Sequence, residues 1–400
     1  MKKILILGAG VYQFPLIETA KRLGLYTIVA SIPGNYPGFD LADKVYYENT
    51  TDVDKILRIA REEKIDGIVT AGTDVAVITI GRVCDELGLT GLSHEAAEIA
   101  TDKLLMKTCY ESFGVRTAKF RRISFDDPDY TRKLEELSPP LIFKSVDSSG
   151  SRGVVRVDSP EEYDAAKDTV FDNTRSDYFI VEEFIEGEEF GAQAFVRKGN
   201  IEFILPHGDY VFKGDTGVPI GHFAPYDLSA ESLKDTEHQL SLAVEAMKLD
   251  DCAINADFIK KDGKTYVLEL GGRSGATCLA ELVSIYYGYD YYEKILLTSL
   301  GEDVDFRAFD GSDPQNFRGV PNASMLLTSD RDGTLISQKN NNNDDPNIVD
   351  IKFDHVPGDK VHKFHVGPHR IGHVITKGDT LDDAVAALER ALGNVRIEVR

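Results

Sequence analysis

The chain reads as a mixed fold: an α/β unit built on a parallel sheet, followed by an α+β remainder that ends in a small β-rich region. Three observations carry this. Short apolar runs alternate with amphipathic stretches through residues 1–100. From about residue 179 strand-like segments follow one another, several joined by short turns. After residue 305 strands and turns dominate, closed by one amphipathic helix.

Residues 3–7, KILIL, form an apolar run of strand length. Residues 11–23 read as a helix with Pro15 in its first turns, where a missing amide costs little. Residues 26–31 make the second strand, and Pro33, Gly34, Pro37 and Gly38 punctuate the loop after it. Residues 52–63 read as a helix capped by Thr51 or Asp52, 67–71 as a strand and 75–87 as a helix. Such a βαβαβα order implies parallel strands with helices on both faces. Gly8-Ala9-Gly10 follows the first strand, but Gln13 stands where a dinucleotide fingerprint needs its third glycine, and Ser31-Ile32-Pro33 ends the second strand without an acid. The loop is therefore expected to approach a small ligand or a neighbouring domain.

Residues 93–113 read as one helix carrying Asp102-Lys103 and Met106-Lys107. Strands are expected at 139–146, 154–157, 179–185, 189–196 and 201–205, with helices at 160–169, 236–247 and 280–299. The tyrosines near Tyr286 and Tyr292 suit either core or a subunit interface. The Asn340–Asn343 run reads as a solvated loop, and 381–392 as the last helix.

With 400 residues and 42% hydrophobic content the chain is long enough for two or three domains with real cores. A formal charge of −22, without a basic patch, argues against a nucleic-acid surface. Cys84, Cys109, Cys252 and Cys278 show no C-x-x-C spacing and read as reduced residues of a cytoplasmic protein. No apolar run approaches the roughly 18 residues of a membrane span, and Ile4-Leu5-Ile6-Leu7 is too short for a secretory signal.

The chemistry is concentrated in four places. Asp257 and Glu269 lie on two alternating strands around Asp262-Gly263-Lys264, a hairpin signal. A three-residue loop there would place the two carboxylates directly opposite each other. Like charges so placed repel, and oxygen-liganded Mg²⁺ is the natural ion to sit between them. Arg273 follows. Lys144 ends an apolar strand and runs into a Ser/Gly loop, 145–153, whose amides suit a phosphate, although no Walker motif is present. The segment Glu182-Glu183-Phe184-Ile185 offers main-chain groups to an adenine edge, with acids beyond it. Lys103 lies on the helix before them.

In this order the motifs resemble the ATP-grasp superfamily, which includes biotin carboxylase, carbamoyl phosphate synthetase and the L-amino-acid ligases. The resemblance covers essentially the whole chain, including Arg370-Ile371-Gly372-His373-Val374 and the segment 378–384. It implies an N-terminal pre-ATP-grasp domain at 1–100, an ATP-grasp domain at 101–305 with a lid at about 115–185, and a C-terminal region at 306–400. Lys103 and Lys144 resemble the phosphate-holding lysines, and Ser149, Gly150, Ser151 and Gly153 belong to the covering loop. Glu182, Glu183, Phe184 and Ile185 match the adenine hinge, Glu189 the ribose acid, and Asp257 and Glu269 the acids for Mg²⁺ (or Mn²⁺). Arg273 matches the arginine that orients an anionic substrate, with Ser274, Gly275, Asn255 and His222 beside it. Two departures stand out. Gly271 replaces the asparagine of E-x-N-x-R, and Asn255, opposite it, is a candidate replacement. Ser145 follows Lys144 where many members have proline, a change expected to matter little.

The resemblance implies an ADP-forming carboxylate–amine ligase acting through an acyl phosphate on amino-acid-like substrates, with no nucleic-acid or membrane partner and with a homodimer as the expected assembly. ATP-dependent carboxylation through carboxyphosphate is the alternative. A non-catalytic ATP or metal sensor is another, drawn from His362, His365, His369 and His373. The segment from His207 to His222, with Lys213, reads as a loop that is either a substrate rim or an ordinary insertion.

Overall fold

The computed structural model describes every residue except 149, 151, 215 and 216. Ser149 and Ser151, expected in the phosphate loop, thus lie outside the described residues.

The first sheet is parallel throughout, in the order Lys44–Tyr47, Tyr26–Ser31, Lys3–Leu7, Gly67–Val69. The edge strand Lys44–Tyr47 escapes a periodicity reading because it is short and largely polar or solvent-facing. The helices Phe14–Arg22, Val53–Glu63 and Val77–Leu87 follow as the alternation implied, the second capped by Asp52 through Lys55 N at 3.2 Å.

A small antiparallel sheet follows, ordered Phe120–Ser124, Tyr178–Glu183, Leu141–Lys144, Val154–Val157. Phe143 and Phe179 stack beneath it at 5.6 Å. The largest sheet has eight strands, all antiparallel: Lys264–Gly271, Cys252–Lys261, Glu188–Arg197, Asn200–Val211, Pro219–Ala224, Asn322–Leu327, Gly372–Lys377, Ile348–Phe353. Its last three strands lie beyond residue 305, so one sheet continues across that point of the chain. A three-stranded sheet, Lys360–Val361, Gly333–Asn340 and Val395–Val399, lies near the C-terminus.

Three expected elements differ, each for a local reason. The helix expected at 93–113 is two helices, His94–Thr101 and Lys103–Phe113. Asp102 breaks it by accepting from Leu104 N at 2.8 Å and Leu105 N at 2.9 Å, a cap that competes with helix continuation. The helix expected at 280–299 is likewise split into Leu279–Tyr287 and Tyr291–Ser299. Gly288 ends the first half at φ +75° and Asp290 caps the second through Glu293 N at 3.1 Å. Its Tyr287 and Tyr291 are fully buried and donate to Ile204 O and Ala194 O of the large sheet, so they are core residues. Finally, the segment between His207 and His222 is not a loop at its ends: both histidines stand on paired strands, Asn200–Val211 and Pro219–Ala224.

The hairpin around Gly263 also differs in detail. Lys261 pairs with Lys264 around a two-residue turn, with φ +51° at Asp262 and +74° at Gly263. Left alone, this would misalign the two acids by one residue. An irregularity between Asp257 and Phe258 leaves Leu268 without a partner and restores the match of Asp257 to Glu269.

Asp102→Ala should remove the double cap and the contact of Asp102 Oδ2 with the Tyr178 hydroxyl (2.7 Å). A loss of about 1–2 kcal/mol in urea-unfolding stability is expected; a loss below about 0.3 kcal/mol would show that Asp102 does not hold the break.

Candidate active site

The break at Asp102 places Lys103 at the start of a helix and Lys107 one turn later on the same face. Lys103 Nζ donates to Ser148 O at 2.8 Å and lies 3.4 Å from Glu269 Oε1. Lys107 is fully buried; its Nζ donates to Thr117 Oγ1 at 2.5 Å and lies 3.3 Å from Glu182 Oε1. From the small sheet, Lys144 Nζ donates to Glu182 Oε2 at 2.8 Å. Glu182 is 2% exposed. One carboxylate thus serves two ammonium groups, and a positive charge is left in excess where water is scarce.

The proton equilibria register this. Burial pushes Lys107 down to about 8, and Lys144 adds to the effect while Glu182 opposes it. Burial works against the charge of Glu182 too, but the two lysines outweigh it and hold the carboxyl below its ordinary range. Lys144 overcomes its burial through Glu182 and is raised. The group that yields is Lys107.

The loop after Lys144 is tied down by Ser145, which is fully buried. Its amide donates to Gly153 O at 2.9 Å, and its hydroxyl meets Ser148 Oγ and donates to Arg152 O at 3.0 Å. Proline could make none of these contacts, so the serine here is structural, contrary to the expectation that it matters little. Gly153, at φ +65°, is also constrained: a Cβ would lie 2.8 Å from Asn173 Cβ.

The expected hinge residues separate by role. The Glu182 side chain is turned inward to the lysines rather than toward an adenine. Glu183 Oε1 accepts from Ser138 N at 2.9 Å, and Phe184 N donates to Pro140 O at 2.8 Å. The Ile185 amide has no acceptor among the described residues. Glu189 is exposed at the start of the strand Glu188–Arg197 and acts on Lys144 through its charge.

Across the large sheet one row of partners reads Glu269, Asp257, Gly191, His207. Directly paired residues share a face, so the two acids stand side by side as expected. Burial, reinforced by Glu269, pushes Asp257 up to about 7. A carboxyl so raised beside a second carboxylate suits a divalent, oxygen-liganded ion.

Arg273 presents its fork to Asp74, with Nε to Oδ1 at 2.8 Å and Nη2 to Oδ2 at 2.9 Å. Asp74 also borders Gly271, where a Cβ would lie 3.2 Å from Asp74 Oδ1. Asn255 does pair with Gly271, and its Oδ1 accepts from Gln193 Nε2 at 2.7 Å. Gln193 Oε1 in turn accepts from Gly275 N at 2.8 Å. Gly275 has no room for a side chain, because a Cβ would sit 2.7 Å from Asn255 Oδ1. Ser274 is buried with an unpartnered hydroxyl.

His222 and His207 both contact Asp209 Oδ1 through Nδ1, at 2.6 Å and 3.0 Å. Of the C-terminal histidines, the His369 ring lies 5.1 Å from that of His362, tilted, and 6.4 Å from that of His365, edge to face, while His373 contacts Asp350 at 2.9 Å and His362 contacts Asp332 at 3.2 Å. Among the described residues these histidines do not bring three ligand atoms within 4.8 Å of one another, as the sensor reading required.

An ATP-grasp domain family model matches residues 137–281, and a model for the L-amino acid ligase C-terminal domain 2 matches residues 325–400. The crystal structure of phosphoribosylglycinamide synthetase from Anaerococcus prevotii is 34% identical, with a TM-score of 0.85 and coverage of 100% of both chains. The chain belongs to the ATP-grasp superfamily. The L-amino acid ligase from Bacillus licheniformis shares the fold, with a TM-score of 0.81 at 20% identity over 100% of this chain and 99% of that one. Alanine–anticapsin ligase of Bacillus subtilis (strain 168) is 25% identical over 296 residues, which span 67% of this chain and 62% of that ligase's own length.

Four residues that the structure packs against the expected site residues were not singled out from the sequence. Lys107 carried a signal, its four-residue spacing from Lys103 on one helix. Asp74, Gln193 and Asp209 carried none, because their partners are distant in the chain or become neighbours only through strand pairing.

Two outcomes follow from the proton equilibria. Lys107 is lowered in the folded state, so binding of Mg²⁺-free ATP near pH 8 should take up a proton as phosphate restores its charge. Calorimetry in buffers of different ionisation enthalpy reads this uptake, and Lys107→Met should abolish it; buffer-independent heats in the wild type would refute it. Asp257 is raised from 3.8 to about 7, so the metal-free fold loses stability as pH climbs from 4 to 7. Asp257→Asn should therefore stabilise the metal-free protein at pH 8 by up to about 4 kcal/mol and leave it unchanged at pH 4. Equal effects at both pH values in denaturant titrations would count against the raised carboxyl.

Proposed function

We propose that this chain is an ADP-forming ligase that joins a small carboxylate to an amine through an acyl phosphate, with amino-acid-like substrates. The observation that carries the proposal is the pairing of a buried cationic excess, Lys107 and Lys144 around Glu182, with two opposed carboxylates, Asp257 and Glu269. The first needs an anion and the second a divalent cation; ATP with Mg²⁺ or Mn²⁺ supplies both. Lys103, 3.4 Å from Glu269, links the two halves.

In this reading Lys103, Lys107 and Lys144 bind and orient phosphate oxygens, with Gly150 and Gly153 in the loop that covers them. The free Ile185 amide meets the adenine edge, and Glu189 takes ribose hydroxyls. Asp257 and Glu269 would hold the metal, which when bound neutralises charge on the transferring phosphoryl group. Attack by the substrate carboxylate oxygen on the γ-phosphorus forms a P–O bond and releases ADP. The amine then forms the C–N bond, and phosphate leaves with the C–O electron pair. Arg273 is the carboxylate clamp, and the substrate carboxylate replaces that of Asp74 in its fork, one bidentate pair exchanged for another. The Ser274 hydroxyl and the Gly275 backbone line the same place.

The chain division at 1–100, 101–305 and 306–400, with a lid at 115–185, a homodimeric assembly and a cytoplasmic location belong to the same proposal. No helix among the described residues is long and apolar enough to cross a membrane.

Incubation with Mg-ATP and paired amino acids should release ADP only when both a carboxylate and an amine are present. Oxygen-18 in the carboxylate should appear in the released phosphate. Release with bicarbonate alone, or phosphate without label, would overturn the ligase reading. Glu269→Ala should lower turnover about a thousandfold, the equivalent of roughly 4 kcal/mol of transition-state stabilisation; full activity would remove the metal assignment.

A further inference from the structure

We propose that His207, Asp209 and His222 form a second metal centre, selective for a borderline transition ion such as Zn²⁺, Co²⁺ or Ni²⁺ and distinct from the carboxylate pair that suits Mg²⁺. Among the described residues this is the one group of three His, Cys, Asp or Glu side chains whose ligand atoms lie within 4.8 Å of one another. The sheet builds it. His207 and Asp209 are two residues apart on the strand Asn200–Val211 and so share a face. His222 pairs directly with Asp209 from the neighbouring strand. The two rings meet edge to face with centroids 5.3 Å apart, and both direct Nδ1 at one oxygen, Asp209 Oδ1.

The donor set is two imidazole nitrogens and one carboxylate oxygen. Arms of about 2.0–2.1 Å around a tetrahedral ion set such ligands roughly 3.3 Å apart, a small outward shift from the 3.0 and 2.6 Å observed. Imidazoles suit Zn²⁺, Co²⁺ and Ni²⁺, whereas Mg²⁺ keeps to oxygen. The two centres on one sheet face are therefore told apart by ligand type. Three ligands leave a fourth position open.

Two further observations show how the His207 ring is seated so that Nδ1, not Nε2, faces Asp209. His207 is 2% exposed and its Nε2 has no hydrogen-bond partner. The space under its ring exists only because residue 191 is glycine, since a Cβ there would sit 2.3 Å from His207 Cε1. Asp209 is the member open to solvent and gives an ion its way in. The centre lies along the row that holds Asp257, whose proton equilibrium both Asp209 and His207 influence. This inference stands apart from the ligase reading.

The test uses the full chain after chelator treatment, titrated with Co²⁺ in excess Mg²⁺. One Co²⁺ per chain is expected, with the visible absorption of a low-coordinate ion. His207→Gln and His222→Gln should weaken binding at least tenfold, Asp209→Asn similarly, and Glu269→Ala should leave it unchanged. No absorption in the wild type, unchanged affinity in both histidine variants, or loss in Glu269→Ala alone would overturn the proposal. Circular dichroism checks the fold of each variant. Should any fail to fold, histidine-ring nitrogen NMR of the wild type with Zn²⁺ decides: Nδ1 of two histidines should shift, and unchanged ring nitrogens refute the centre.

Discussion

One buried carboxylate governs the site. Glu182 lies between Lys107 and Lys144, and neither lysine could remain charged in the interior without it. The same carboxylate anchors the small sheet to the helix Lys103–Phe113. Yet one carboxylate cannot neutralise two ammonium groups. The residual charge favours an anion in the interior of the cleft, and burial, with Lys144 adding to it, draws Lys107 down to about 8. In the proposed function, phosphate binding in this place would complete the charge balance.

The opposite imbalance stands on the large sheet. Asp257 and Glu269 face each other with Lys103 as the nearest cation, 3.4 Å from Glu269. Cationic excess and anionic excess thus flank one space, and a polyphosphate with its metal is the ligand that relieves both. Asp74 and Arg273 close the far end. A side chain at residue 271 would press on this pair, its Cβ 3.2 Å from Asp74 Oδ1.

Much of this was legible in the residues. The parallel sheet at the start followed from apolar runs alternating with amphipathic ones, and the acids of the hairpin were matched correctly. That match arose by a different route: a turn one residue shorter, corrected by an irregularity at Leu268. Periodicity does not see such a pair of compensating shifts. The two long helices were misjudged because Asp102 and Asp290 cap locally, which outweighs an apolar pattern that continues through them. Ser145 was undervalued because its amide and its hydroxyl bond to residues of the loop that come near it only when the loop folds back.

By itself the sequence determined which charged groups exist and which of them share a strand or a helix face: Lys103 with Lys107, Asp257 with Glu269, Asn255 with Gly271. Only the tertiary structure decided who neutralises whom. Glu182 reaches Lys144 across 38 residues, and Arg273 reaches Asp74 across 199. His207 joins the row of Asp257 and Glu269 only because Gly191 lies between them in the sheet. Local spacing obeys helix and strand geometry and can be read from order alone. The pairing of buried charges depends on which surfaces exclude water together, and that is fixed only when the sheets and helices pack.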